Sequence, residues 1–170
     1  MRNNGPKGKE SAGATTSAAS GADAKLLRAA EAGSVGTMMS ALREGADIEA
    51  RMRGETALMR AARTGSVRHV EALIKAGADV AARSERGTAL GCAAHGRIPG
   101  AAVEALIAAG CDPNRSDFEG NTPAHALSTR QGPGAGEPLE AVLACGGDPN
   151  AKNKDAPLHI AAICGSLEAV

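Results

Sequence analysis

A short phrase returns along this chain at a nearly constant interval. Gly-x-Thr-Ala-Leu at Gly54–Leu58 comes back as Gly-Thr-Ala-Leu at Gly87–Leu90 and as Gly-Asn-Thr-Pro-Ala-His at Gly120–His125; a trimmed copy, Ala-Pro-Leu-His, stands at Ala156–His159. Each copy is followed by a pair set at the same offset: Ala61-Ala62, Ala93-Ala94, Leu127-Ser128 and Ala161-Ala162. A second signature, Gly-x-Asp, recurs at Gly45–Asp47, Gly77–Asp79, Gly110–Asp112 and Gly146–Asp148, at spacings of 32, 33 and 36 residues. A period of this size belongs to a stacked array of supersecondary units, each of which needs its neighbours to cover its apolar face.

One unit, Arg51 to Arg83, can be read in detail. Thr56 stands where a helix wants an N-cap, its hydroxyl able to accept a backbone N–H of the first turn. Proline just after that position, as at Pro123 and Pro157, suits the first helical turn, where its missing N–H would be unpaired anyway. Ala57–Thr64 is therefore a short helix ended by Gly65, and Val67–Ala76 a second, with Val67, Val70, Leu73 and Ile74 forming one apolar stripe. Gly77 terminates it where the chain must turn left-handed. The connector Ala78–Gly87 returns the chain to the next cap. Helices shorter than about 12–15 residues are marginal alone, so stability must come from the stack, and the alanine pairs permit close approach.

Composition agrees with an array of modest core. Ala fills 38 of 170 positions, Phe118 is the one aromatic residue, and Leu, Ile, Val and Phe together number 26. Scarcity of large apolar residues signals disorder when joined to high net charge, but here 19 basic and 19 acidic residues cancel. That balance also argues against a nucleic-acid binder, which needs a clustered basic excess. Residues 1–22 are rich in Gly, Ser, Ala and Thr and are expected to be a flexible tail. They lack the apolar centre of a secretory signal, and no apolar run reaches the roughly 18–20 residues that span a bilayer. Cys92, Cys111, Cys145 and Cys164 lack any CxxC spacing and track the repeat, which predicts reduced, half-buried thiols inside the cell, with the cytoplasm as the expected compartment.

Catalytic signatures are missing from the sequence. His69, His95, His125 and His159 form no HxxxH or HxxE pair for zinc. There is no Gly-x-Ser-x-Gly elbow, no phosphate-cradling Gly-rich loop, and no cysteine beside a histidine. The expectation is a protein that is not an enzyme, with no cofactor, no metal and no small-molecule substrate.

The phrase resembles the ankyrin repeat, whose hallmark is Gly-x-Thr-Pro-Leu-His-x-Ala-Ala, then a second helix, then Gly-Ala-Asp-Val-Asn. Gly54, Thr56, Leu58, Ala61, Ala62 and Gly77–Val80 match it. So do Gly120, Thr122, Pro123 and His125, then Gly146, Asp148 and Asn150, then Pro157, Leu158, His159, Ala161 and Ala162. The resemblance implies an all-α solenoid of stacked helix-turn-helix units with hairpin-like connectors over 23–170. Its units run 23–50 (degenerate, with Asp23 as helix N-cap), 51–83, 84–116, 117–152 and 153–170 (incomplete). It also implies that His125 and His159 brace the cap threonine and that Asn114 and Asn150 stabilise hairpins. Departures from the pattern are a residue lost between Gly87 and Thr88, insertions at His95–Gly100 and Thr129–Pro138, the latter expected to be mobile, and a shortened connector at Lys154-Asp155.

By the same resemblance, a protein partner is expected on the concave face lined by connector tips and first helices. The tips are Arg51, Arg53, Glu55; Arg83, Glu85, Arg86; Asp117, Phe118, Glu119; and Lys152, Lys154, while Arg60, Arg63 and His95 face the groove from the helices. Arginine suits bidentate contact with carboxylates, and arginine and aromatic residues dominate binding hot spots. The reading is a monomeric, non-catalytic interaction scaffold. The alternative is the targeting segment of a larger enzyme or signalling protein truncated after Val170, since the last half-repeat would leave an apolar face uncovered.

Overall fold

The computed structural model describes residues 20–85, 87–130, 136–151 and 153. Within them lie eight helices in four pairs: α1 (Gly21–Ala32) with α2 (Val35–Arg43), α3 (Ala57–Thr64) with α4 (Val67–Lys75), α5 (Ala89–Ala94) with α6 (Gly100–Ala108), and α7 (Pro123–Ser128) with α8 (Glu137–Ala144). The first helices stack in one layer, α1 on α3 on α5 on α7, and the second helices in another, α4 on α6 on α8. The fold is the expected all-α repeat stack.

Local chemistry sets the helix boundaries. The Thr56 hydroxyl caps α3 by accepting from the Met59 N–H at 3.4 Å, and Gly65 ends it in the left-handed conformation at φ 78°. Pro123 occupies the first turn of α7. At Thr88, where the phrase is one residue short, the cap fails: α5 has no side-chain cap bond and the Thr88 Oγ1 is buried without a partner. The first unit also differs from its expected start. Helix α1 begins at Gly21, inside the segment assigned to the tail, and its N-cap is Ser20 rather than Asp23. Asp23 is the third helical residue and closes a capping box, accepting from the Ser20 N–H at 2.8 Å while its own N–H donates to Ser20 Oγ at 3.2 Å.

The core lies between the two layers. Leu58, Val70 and Leu73 fill it in one unit, Leu90, Val103 and Leu106 in the next, Leu127 and Val142 in the third, all fully buried. The pairs that follow each phrase, Ala61-Ala62, Ala93-Ala94 and Leu127-Ser128, are buried, in first helices that stack on one another. The insertion after α5 is not loose: Arg97 N–H donates to the Arg63 carbonyl at 3.3 Å, and a side chain at Gly65 or Gly96 would collide with the Ile98 or Arg63 carbonyl. In the second insertion, Glu137 and Pro138 open α8, while 131–135 lie outside the described residues. The expectations for the tail up to residue 19, for Arg86, Lys152 and Lys154, and for Pro157, Leu158, His159 and Cys164 likewise fall outside them.

Candidate interaction surface

Each Gly-x-Asp signature builds a turn from its own aspartate. Asp47, Asp79, Asp112 and Asp148 accept the N–H two residues on, at 2.8–2.9 Å, a local Asx turn. The residue at that second position then clasps the next unit. Glu49 Oε1 accepts from the Asp79 N–H at 2.7 Å; Asn114 Oδ1 accepts from the Asp148 N–H and its Nδ2 donates to the Gly146 carbonyl, both at 2.8 Å. Asn114 thus stabilises the hairpin seam, as expected of it. Ala81 holds the equivalent position between these two and has no acceptor to offer.

The connector tips are bonded in a row. Arg51 Nη1 donates to the Gly54 carbonyl at 3.1 Å and to the Arg83 carbonyl of the next connector at 2.6 Å; Arg83 Nη2 donates to the Ser116 carbonyl of the one after at 2.9 Å. The Phe118 N–H donates back to the Glu85 carbonyl at 3.4 Å, and Asn153 Nδ2 donates to the Glu119 carbonyl and to Asn121 Oδ1 at 3.0 and 2.7 Å. Arg51 and Arg83 are exposed, but each spends part of its guanidinium on bracing. Arg53 is exposed at φ 55°, a left-handed conformation beside Gly54 at φ 78°. Asp117 is half-buried, its Oδ1 accepting the Glu119 and Asn121 N–H groups at 2.9 Å each. Glu85, His95 and Glu119 are exposed.

Two expected surface residues are in the interior. Arg60 is only 6 % exposed and pairs with Glu31 of the preceding unit. Glu55 is buried beneath the tip, 3.9 Å from Arg63 Nε. Arg63, half-buried, donates to the second Glu31 oxygen at 2.8 Å. Glu31 is therefore shared by two arginines. The Arg63 hydrogen bond, with the nearby charges of Arg60, Arg63 and Arg53, holds its carboxyl below the usual 4.5, and Arg63 is raised in turn, chiefly by the same bond. One signal in the repeat pattern points to this missed residue. Aligning Leu26, Ala29 and Ala30 with Leu58, Ala61 and Ala62 puts Glu31 opposite Arg63 in the neighbouring helix.

The histidines and cysteines have structural surroundings. His125 is buried, and its Nδ1 accepts the Thr122 N–H at 3.1 Å and lies 2.9 Å from the Thr122 hydroxyl, so its proton sits on Nε2. This is the expected bracing of the cap threonine. His69 bonds Ser66 Oγ and reaches the Gly33 carbonyl of the unit before at 3.2 Å. Cys92 and Cys111 are buried and Cys145 is exposed, rather than all half-buried, and no disulfide joins any of the three. Burial, aided by the charge of Asp79, pushes the Cys111 thiol up to about 11. Among the described residues no three His, Cys, Asp or Glu side chains are grouped to hold a metal, and no helix is long and apolar enough to cross a membrane. The trough of about 530 Å³ along α1, bordered by Lys25, Arg28 and Thr37, contains none of the expected binding residues.

A family model for ankyrin repeats (three copies) matches residues 26–117. The chain belongs to the ankyrin-repeat family. Ankyrin repeats generally serve as protein–protein interaction modules and are typically not catalytic. The match runs from within α1 to Asp117, so it takes in the buried Arg60–Glu31 pair and the Arg51 and Arg83 tips and ends one residue before Phe118. No curated protein matches the chain.

Proposed function

We propose that this ankyrin-repeat array is a non-catalytic scaffold, monomeric and intracellular, that captures a partner protein along its row of tips and the adjoining first helices. Arg53, Arg63, Glu85, His95, Asp117, Phe118 and Glu119 make the contact, with Arg51 and Arg83 contributing the faces of their guanidinium groups that bracing leaves open. Arg86, Lys152 and Lys154 extend the same row in sequence. Glu55 lies against Arg63 from below, and Arg60 shares with it the Glu31 carboxylate. The observation that carries the reading is Phe118, the one aromatic residue of the chain, which stands 75 % exposed on a tip bonded to the connectors on either side. A surface ordered before binding loses little conformational entropy on association.

The test compares capture from lysate by three forms of the chain. One is unaltered, one carries Arg53→Ala, Glu85→Ala, Phe118→Ala and Glu119→Ala, and one carries Arg68→Ala, Glu71→Ala and Lys75→Ala on the exposed side of α4. Arg51 and Arg83 stay intact so that the stack is not weakened. The partner identified with the unaltered chain should bind the α4 variant equally and the tip variant at least tenfold more weakly in a purified assay. Equal affinity for the tip variant would remove this surface from consideration.

A further inference from the structure

Besides Phe118, one large apolar side chain is left exposed among the described residues: Ile98, 70 % exposed in the turn between α5 and α6. This turn lies at the end of the first helices away from the connector tips. Its counterparts need only Gly33 and Ser34 between α1 and α2, and Gly65 and Ser66 between α3 and α4, whereas this one runs from His95 to Pro99. The added residues are tied into three units. Gly96 and Pro99 are buried, and the Gly96 N–H donates to the Ala93 carbonyl at 2.8 Å. The Arg97 N–H reaches the Arg63 carbonyl of the unit before. From the unit after, Arg130 donates through Nη1 to the Gly96 carbonyl at 2.9 Å and through Nη2 to the Arg97 carbonyl at 3.2 Å. The turn also sits on Gly65, where any side chain would strike the Ile98 carbonyl. Ile98 is therefore presented from a fixed backbone, and little ordering is needed when it leaves water.

The charge beside it is basic. The four turns, 33–34, 65–66, 95–99 and 129–136, include His95, Arg97 and Arg130 and no Asp or Glu; residues 131–135, outside the described ones, are Gln-Gly-Pro-Gly-Ala and uncharged. Arg97 is exposed and forms no ion pair among the described residues. The Arg130 guanidinium lies against the backbone of the same turn. The acidic residues in the first turn of α8, Glu137 and Glu140, are not bonded to Arg97. A folded partner would need about 800 Å² on this side, far more than one turn supplies. We infer that this turn is a second docking surface, separate from the tip row, for an acidic linear segment of a partner protein. An aliphatic or aromatic side chain of the segment packs on Ile98, and a neighbouring carboxylate pairs with Arg97. Arg130 adds its attraction from the base of the turn.

A displayed library of random linear peptides, selected on the full chain, tests this. Enriched peptides should carry Asp or Glu beside one aliphatic or aromatic residue and should weaken with added salt. Their affinity should drop about fivefold for Ile98→Ala, largely return with Ile98→Leu, and drop about tenfold for Arg97→Glu. The chain carrying Arg53→Ala, Glu85→Ala, Phe118→Ala and Glu119→Ala should bind them unchanged. Both tested side chains project into water, and thermal melts of each variant check that the stack is intact. Peptides indifferent to Arg97→Glu overturn the charge pairing, and peptides indifferent to Ile98→Ala overturn the anchor. Peptides lost with the tip variant belong to the tip row and overturn the second surface while leaving the first standing. Enrichment of no acidic peptide overturns it as well. A single-stranded oligonucleotide that binds through Arg97 regardless of Ile98 would make the turn a general polyanion patch and overturn a protein segment as its ligand.

Discussion

Glu31 is one carboxylate answering two guanidinium groups, one of them the buried Arg60. Removing one partner of a buried pair leaves a charge without compensation, but Glu31 itself is 38 % exposed, and solvent screens part of the loss. Glu31→Gln should therefore cost about 1–2 kcal/mol in urea unfolding at neutral pH. The pH dependence has a defined sign. Because the folded carboxyl titrates below its ordinary 4.5, chiefly through the Arg63 bond, its contribution is complete above that value and disappears as pH falls through the lower folded value. The unaltered chain should thus lose its advantage over Glu31→Gln on acidification below about pH 4.5, and a gap that stays constant would contradict the pairing. Arg53 is a separate residue-scale case. A left-handed conformation costs an L-residue about 1–2 kcal/mol, and a β-branched side chain tolerates it worst. Arg53→Val should lower the melting temperature, whereas Arg53→Gly should match or exceed the unaltered chain.

Between elements, the clasp from one connector to the next is a side-chain device on a 32–36-residue period. Asn114 supplies both a donor and an acceptor across its seam, so Asn114→Ala leaves two backbone groups to water or to nothing. The expected cost is about 1–2 kcal/mol, at roughly 1 kcal/mol per hydrogen bond lost. Ala81 occupies the same place in the preceding unit and is exposed, so Ala81→Asn can install the clasp where it is absent. A gain of about 0.5–1 kcal/mol is predicted by the same measure, read by chemical denaturation, and no gain would show that this seam has a different geometry. Short helices explain why such devices matter: six residues in α5 and six in α7 supply little stability of their own.

For the whole molecule, a stack is stabilised interface by interface. Helix α5 packs on α3, α6 and α7, and its Leu90 is fully buried. Leu90→Ala should cost about 2–5 kcal/mol and reduce amide-exchange protection in α3 and α7 together. Leu27→Ala, in α1 packed chiefly on α2 and α3, should leave α7 protected. Equal loss of protection everywhere in both variants would mean that the array unfolds as one unit. The stack was legible in the sequence because Thr, Pro and Gly act locally: Thr56 and Gly65 bracket α3 through their own hydroxyl and backbone freedom. The residue missing between Gly87 and Thr88 was legible too, but the loss of the Thr88 cap bond was not, because it is a change of geometry rather than of composition. Arg60 and Glu55 were misplaced because repeat position alone does not say which neighbour a long side chain reaches.

The sequence by itself determined the repeat, both ends of α3, the buried small pairs and the bracing of Thr122 by His125. These depend on residues no more than a few positions apart, or on identical positions one period away. Only the tertiary structure decided what the side chains do across the stack. Arg60 reaches back 29 residues to Glu31, Arg51 forward 32 to the next connector, and Phe118 is pinned on both sides yet bare. Such pairings depend on the offset and rotation between neighbouring units, which the packing of whole helices sets and a recurring phrase does not encode.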